Sequence, residues 1–330
     1  MTEEHPFAQY VRIIGKGPNL SRPLNEAEMY SAATMIMNGQ VEPMQLGAFL
    51  CILRMRTEVP EEGAGFVRAV RDSLDLPETI PAIDLDWSSY SGKKRQLPWY
   101  LMAALLLAEN GVRIFMQGTE GHTAGRIYAR QSLESLGIPM AHSFSEAAAH
   151  IEATNFGFLP LAVLSPKLQE IIDLKATLGV RTPVNTFGRM VNPFAAPYEI
   201  QTVFHPNYRD VHRDTAALLG QPHMAVFKGE GGEAERRPQK PVVVQSLHDG
   251  ELSEEEWPAL MPEDSVKVDE GMDLNRLKTV WRGDEDDAYA DAAVSGTVAI
   301  VLRLLERAES PIDAGIQARK MWQERNRDRF

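Results

Sequence analysis

Residues 84–115 read "DLDWSSYSGKKRQLPWYLMAALLLAENGVRIF". The order is a short strand-like run, a loop, an apolar helix over 98–109 and a second strand-like run. Strands that alternate with helices form a parallel sheet with helices on its faces, because a crossover must carry the chain back before the next strand can run the same way. "VRIFM", a helix over 126–136, "MAVF" and "PVVVQ" continue the alternation, and two helices at roughly 288–307 and 312–326 are expected to cover the sheet. In such folds the loop after the first strand usually cradles a phosphate, since backbone N–H groups and a helix N-terminus point at the anion. Here that loop holds one glycine, Gly92, followed by Lys93, Lys94 and Arg95.

Upstream, the period changes. The first 75 residues read as consecutive short helices. In "LNEAEMYSAATMIMNG" (24–39), Asn25 is a candidate N-cap with Glu28 three residues on, and Pro43 and Pro60 open the next two helices. The prolines of "LPETIPAIDL" (76–85) mark the boundary. A helical domain over 1–78 and an α/β domain over 79–330 are expected. "MQLGAFLCILRM" (44–55) is apolar around its whole circumference, which predicts a dimer interface that includes Phe49.

Composition is that of a globular protein, 44% apolar and 24% charged. No apolar run reaches the ~18 residues of a membrane span, and acids stand where a secretion signal needs a basic start, so a cytoplasmic protein is expected. One cysteine, Cys51, excludes an intrachain disulfide and a Cys-rich zinc site, and reads as a buried thiol. The net charge of −12 argues against a generic nucleic-acid binder. Yet residues 251–291 hold 14 acids and 4 bases, leaving 32 acids and 30 bases elsewhere, which permits a local basic face. His205, His212 and His223 show no metal-ligand spacing along the chain, so no metal is expected.

"TLGVRTPVNTFGRMVNPF" (177–194) resembles the LG-x-RT-x-x-N-x-x-G-x-x-x-NP signature of anthranilate phosphoribosyltransferase, a member of glycosyltransferase family 3. "GAFLCILRMRTEVPEEGAGFVRAVR" (47–71), "ARQSLESLGIP" (129–139) and "DAAVSGTVAIVLRLL" (291–305) look like further segments of that family. The resemblance implies a small helical domain, completed by helices from about 165–190, beside a larger domain with a mostly parallel sheet. It also implies homodimers through the helical domains. The family's reaction displaces diphosphate from phosphoribosyl diphosphate, with a glycine-rich cradle, Mg²⁺ on oxygen ligands and an arginine for the anthranilate carboxylate.

Each of those elements is altered. The family's GTGGD loop aligns with "SSYSGKK", its KHGN segment with Met116–Thr119, its Asp-Glu metal pair with Ala234–Glu235, and the arginine with Lys175, which cannot make a bidentate contact. The departures, with "LPW" and "KGEGGE", resemble the YbiB-like branch, which is associated with DNA and RNA binding. That resemblance implies a homodimeric, sequence-nonspecific nucleic-acid-binding protein without catalytic residues, cofactor or metal, Glu235 being a remnant. The alternative is an active phosphoribosyl or glycosyl transferase using phosphoribosyl diphosphate, Mg²⁺ and anthranilate or another acceptor. A scaffold with neither property is a third reading.

The candidate phosphate-binding residues are Lys93, Lys94, Arg95, Gly118, Lys175, Arg181, Arg189, Arg209, Arg213, Lys228, Arg236 and Arg237. Each has a plainer reading: a solvated basic tip for 93–95, a structural turn for Gly118, Gly121 and Gly125, and a tie between domains for Arg181 and Asn185. Trp99 and Tyr100 read as core rather than as stacking platforms for bases.

Overall fold

The computed structural model describes residues 3–119, 121–265 and 268–330. Four helices come first: α1 (Ala8–Gly15), α2 (Glu26–Met37), α3 (Pro43–Arg56) and α4 (Pro60–Asp72). Asn25 caps α2 reciprocally, its side chain accepting from the Glu28 N–H at 2.8 Å while the Glu28 carboxylate accepts from the Asn25 N–H at 3.0 Å. Gly65 lets α2 and α4 close on each other; a Cβ there would stand 2.3 Å from the Glu26 carbonyl oxygen. Phe49 lies wholly inside this bundle, its ring 5.2 Å from that of Phe7. The expectation that α3 cannot bury its apolar faces alone is therefore corrected: Leu46, Phe49, Leu50 and Leu53 are covered by their own chain. What α3 leaves exposed is Met44 and Met55, 86% and 83% accessible. Cys51 is half-buried rather than enclosed.

The alternating region follows. It runs β1 (Leu85–Ser89), α5 (Trp99–Glu109), β2 (Ile114–Gly118), α6 (Ala129–Ser135), α7 (Phe144–Thr154) and β3 (Phe156–Pro160). Four short helices come next: α8 (Leu161–Leu164), α9 (Pro166–Asp173), α10 (Lys175–Leu178) and α11 (Val184–Phe187). Then come β4 (Tyr198–Val203), α12 (Arg209–Leu219), β5 (His223–Lys228), β6 (Val242–His248), β7 (Glu251–Trp257), α13 (Asn275–Arg282), α14 (Ala288–Leu304) and α15 (Pro311–Gln323).

The strands form one sheet in the order β3-β2-β1-β4-β5-β6-β7. Its first five members are parallel, and β6 and β7 are added antiparallel. Glutamates 251, 254, 255 and 256 on β7 charge the outer edge, which discourages pairing with another sheet. Trp99 to Ala108 of α5 are all buried, and Trp99 and Tyr100 are core residues. Among the described residues no helix is long and apolar enough to cross a membrane.

After β3 the chain leaves the sheet. Leu168, Ile171, Val184 and Phe187 of the α8–α11 segment join the core of the N-terminal helices, where the Phe187 ring sits 5.1 Å from Phe66. The chain then returns to β4 on the other side of β1. That reversal of strand order is a topological switch point, where open α/β sheets place their ligand crevices.

A buried polar file underlies the switch point. Asp86 of β1 and Glu199 of β4 are register partners, both shielded from solvent. Burial pushes both carboxyl groups up, Glu199 to about 7, with the Arg71 guanidinium acting in the opposite sense. Gln201 Nε2 donates to Glu199 at 2.7 Å, and His212 of α12 stands 2.5 Å from Gln201 Oε1 through Nδ1. Burial holds His212 down at about 3, so it is a neutral core imidazole.

Candidate anion-binding cleft

The loop after β1 is occupied by the protein itself. The N–H groups of Ser91 and Gly92 both donate to Oε1 of Glu233, at 2.6 and 2.5 Å. Gly92 has φ of 66°, and a Cβ there would come within 3.0 Å of the Ile127 carbonyl oxygen, so the turn requires glycine. The two N–H groups form the kind of nest that binds an anion, and the anion is Glu233.

Lys93 corrects the expectation of a three-residue basic tip. It is 1% exposed, and its ammonium lies 2.5 Å from Oε1 of Glu235. Its backbone is fastened to Ile127 by a pair of hydrogen bonds, 2.7 and 2.8 Å long. Oε2 of Glu235 accepts from the Tyr100 N–H at 2.9 Å. Burial lifts the Glu235 carboxyl to about 7, with Lys93 drawing it back down. These donors do not fit the Mg²⁺ that the family resemblance implies. Position 234 is an alanine, both oxygens of Glu235 are engaged, and an ammonium stands beside the carboxylate where a second cation would be repelled.

Outside this closed cluster lies an open groove of two adjoining hollows, about 320 and 620 Å³, which share Arg126 and Phe204. Arg54, Arg181 and Arg189 line the first, together with Tyr208. Lys94, Arg95, Arg209, Lys228, Arg237 and Lys240 line the second. Among the described residues on these walls the one carboxylate outside the Lys93 cluster is Glu230, which pairs with Arg237 at 3.3 Å. Arg126 spans the junction, donating to the carbonyls of Ser91 and Gly92 at 3.0 and 2.9 Å. Arg189 is buried beneath, donating to Ser91 Oγ at 2.7 Å, with its guanidinium 5.5 Å above the Tyr90 ring. A groove of this composition can hold a ligand carrying several negative charges.

The other expected contacts fall elsewhere. Gly118 is buried in β2, where a Cβ would stand 1.9 Å from the Ser89 carbonyl oxygen, so it serves strand packing. Lys175 donates to the His122 carbonyl at 2.8 Å and to Thr123 Oγ1 at 3.1 Å, bracing a loop instead of lining the groove. Arg181 reaches the same Thr123 hydroxyl at 3.2 Å but also faces the first hollow. His122 is held down at about 4 by burial and touches the Tyr90 carbonyl at 2.7 Å. Arg213 is spent on Asp214 and Asp210, at 2.8 and 3.4 Å. Arg236 is buried, bonded to the Pro258 carbonyl and stacked 5.3 Å from Trp257.

Sequence reasoning missed Arg54, Arg126 and Lys240. Arg126 had a signal, as the cation closing the glycine-bearing loop "GTEGHTAGR". Arg54 had none, since only the packing of α3 against the sheet domain brings it to Tyr208, 3.1 Å away.

Two family models match the chain: "Glycosyl transferase family, helical bundle domain" over residues 8–74 and "Glycosyl transferase family, a/b domain" over residues 99–321. An anthranilate phosphoribosyltransferase of Anaeromyxobacter sp. (strain Fw109-5) is 30% identical over 209 residues, which is 63% of this chain and 62% of that protein. The match thus spans less than two thirds of that relative's length. The crystal structure of anthranilate phosphoribosyltransferase (TrpD) from Thermus thermophilus superposes with a TM-score of 0.79 at 22% identity, covering 97% of this chain and 94% of that one. The Saccharomyces cerevisiae enzyme in complex with PRPP and Mg gives 0.79 at 16% identity, with the same coverage. At such identities the two superpositions show a shared fold.

Proposed function

The chain belongs to this glycosyl transferase family of helical-bundle and a/b domains, and from that premise we propose that its cleft binds the sugar-phosphate backbone of DNA or RNA without reading base sequence. One observation carries the reading: the phosphate nest of Ser91 and Gly92 is filled by Glu233, and Glu235 is neutralised by Lys93. Charge that a transferase directs inward at diphosphate and metal is here internally cancelled. The uncancelled cations, Lys94, Arg95, Arg209 and Lys228 among them, face an open groove. Phosphodiester contacts of that kind give affinity without sequence information. The reading includes a homodimer through the helical domains, which would set two such grooves in one particle.

Phosphoribosyl transfer is the second reading, and the relatives support it more directly than the first. The relative and both superposed structures named above are anthranilate phosphoribosyltransferases, one of them holding PRPP and Mg. Under it, Arg181 and Arg189 of the first hollow would face the substrate's phosphates, and Glu233 would have to leave the nest.

A pair of measurements on the full chain separates them. Titration with a labelled single-stranded oligonucleotide at two salt concentrations is expected to show binding that weakens with salt. Calorimetry with phosphoribosyl diphosphate and Mg²⁺, followed by an anthranilate turnover assay, is expected to show neither specific heat nor product. Steady turnover would overturn the first reading in favour of the second.

A further inference from the structure

His223, His248 and Glu306 meet at the end of the sheet away from the cleft. His223 opens β5, whose other end, Lys228, lies in the groove about 17 Å away at the usual strand rise. His248 closes β6 and is the register partner of His223 across the antiparallel pair, so both imidazoles stand on one face. Nδ1 of one is 3.2 Å from Nδ1 of the other. Glu306, in the turn after α14, brings its carboxylate so that one ligand atom from each of the three residues lies within 4.8 Å of the others. We infer that this cluster is a binding site for a divalent transition ion of the zinc class.

Distance is the first support. Two imidazole nitrogens bound to one zinc at about 2.0–2.1 Å and a tetrahedral angle stand about 3.3 Å apart. The observed 3.2 Å therefore needs almost no movement of either ring. Without an ion, two imidazoles facing each other through Nδ1 can share one hydrogen bond at most. The Glu306 side chain is exposed, and its carboxylate already lies within 4.8 Å of the ring nitrogens.

The surroundings are built to hold the rings. Asp249 Oδ1 lies 3.7 Å from Nε2 of His223, on the side away from the cluster, where a carboxylate favours the tautomer that leaves the Nδ1 lone pair facing inward. Tyr198 stacks on His223 with ring centroids 4.6 Å apart, and its hydroxyl is 3.4 Å from Glu306 Oε2. Two nitrogens and one carboxylate suit Zn²⁺, Co²⁺, Ni²⁺ or Cu²⁺ in preference to the all-oxygen ions. A bound ion would tie the β5–β6 ribbon to the α14–α15 turn. Spacing along the chain hides the site, because its members come from two paired strands and a distant turn.

The full chain, stripped with a chelator and desalted, is to be titrated with Co²⁺ alone and read by visible absorption, then with competing Zn²⁺. One Co²⁺ per chain, displaced by Zn²⁺, is expected. His223→Gln and His248→Gln should each weaken binding about tenfold or more, and Asp249→Ala about tenfold, as second-layer partners do. His142→Gln, an exposed histidine outside the cluster, should leave it unchanged. Zn²⁺ should also raise the melting temperature of the native chain by mass action. Glu306 is exposed, so Glu306→Gln should fold and lose most of that rise. Absence of a saturable cobalt spectrum overturns the site, as does a spectrum that survives both histidine substitutions.

Discussion

The ammonium of Lys93 and the carboxylate of Glu235 stand 2.5 Å apart with neither side chain open to solvent. Removing one member strands a buried charge. Lys93→Met should therefore destabilise the protein by roughly 3–5 kcal/mol, while Lys93→Met combined with Glu235→Gln should recover most of the loss. Urea denaturation of the three proteins checks this; a single substitution as stable as the native chain would show that the pair is not a structural unit.

Lys94, Arg95 and Lys228 are three of the exposed cations of the second hollow, the exposed Lys240 being paired with Glu263, and can be changed without touching the core. If the groove binds a phosphodiester backbone, the triple alanine variant should lose affinity for oligonucleotides of every sequence alike. Its log–log salt slope on single strands should flatten by about 2, at roughly 0.7 for each phosphate contact. An unchanged slope in a folded variant would remove these residues from the interface.

Glu233 is the internal occupant of the Ser91–Gly92 nest. Glu233→Ala should cost about 1–3 kcal/mol through two unpaired donors. It should also create a vacancy for an external anion: inorganic diphosphate should raise the melting temperature of the variant but not of the native chain. Equal effects on both would mean that the nest is already accessible.

Asp86 and Glu199 give the stability a pH slope of definite sign. Glu199 is raised to about 7 in the folded state by burial, against an ordinary 4.5, so folding favours its protonated form. That contribution is complete below about 4.5 and is lost as pH rises through about 7, for a total of roughly 3 kcal/mol. Unfolding free energies near pH 5 and near pH 8 should show the decline, and Asp86→Asn, which removes the second buried carboxyl, should make it shallower. A decline of equal steepness in the variant would locate its source elsewhere.

Met44 and Met55 replace Phe49 as the test of dimerisation through α3. Met44→Asp with Met55→Asp should give folded monomers by sedimentation, whereas Phe49→Asp should unfold the bundle because that ring is enclosed by its own chain. A dimer that survives the double substitution would exclude this face.

The architecture was legible where one residue type decides local geometry. Asn25 with Glu28, Pro43 and Pro60 marked helix starts, and the apolar α5 between two strand-like runs announced the parallel sheet. The strands "FGFLP" and "YEIQTV" were not marked, since five or six residues buried on both faces carry no alternation. The cleft was half legible. Three consecutive cations look equivalent along a chain, and Lys93 differs from Lys94 only because Ile127 and Glu235, 34 and 142 residues away, fold against it. Arg236 looked like a cleft cation for the same reason, since its partner, the Pro258 carbonyl, is fixed by tertiary packing, whereas Arg213 is paired locally with Asp210 and Asp214 on α12, an i,i+3 and neighbour pattern visible along the chain.

The α8–α11 excursion bears on how the chain can be cut. Phe187 rests on Phe66, and Leu168, Ile171 and Val184 fill the bundle made by helices more than 90 residues upstream. A break after residue 78 would leave the N-terminal helices without part of their filling and would strand those apolar side chains on the remainder. Neither fragment is a module in the sense of an expressible piece. The two parts are interlocked by the path of the backbone, and a shortened version that retains the groove must keep both.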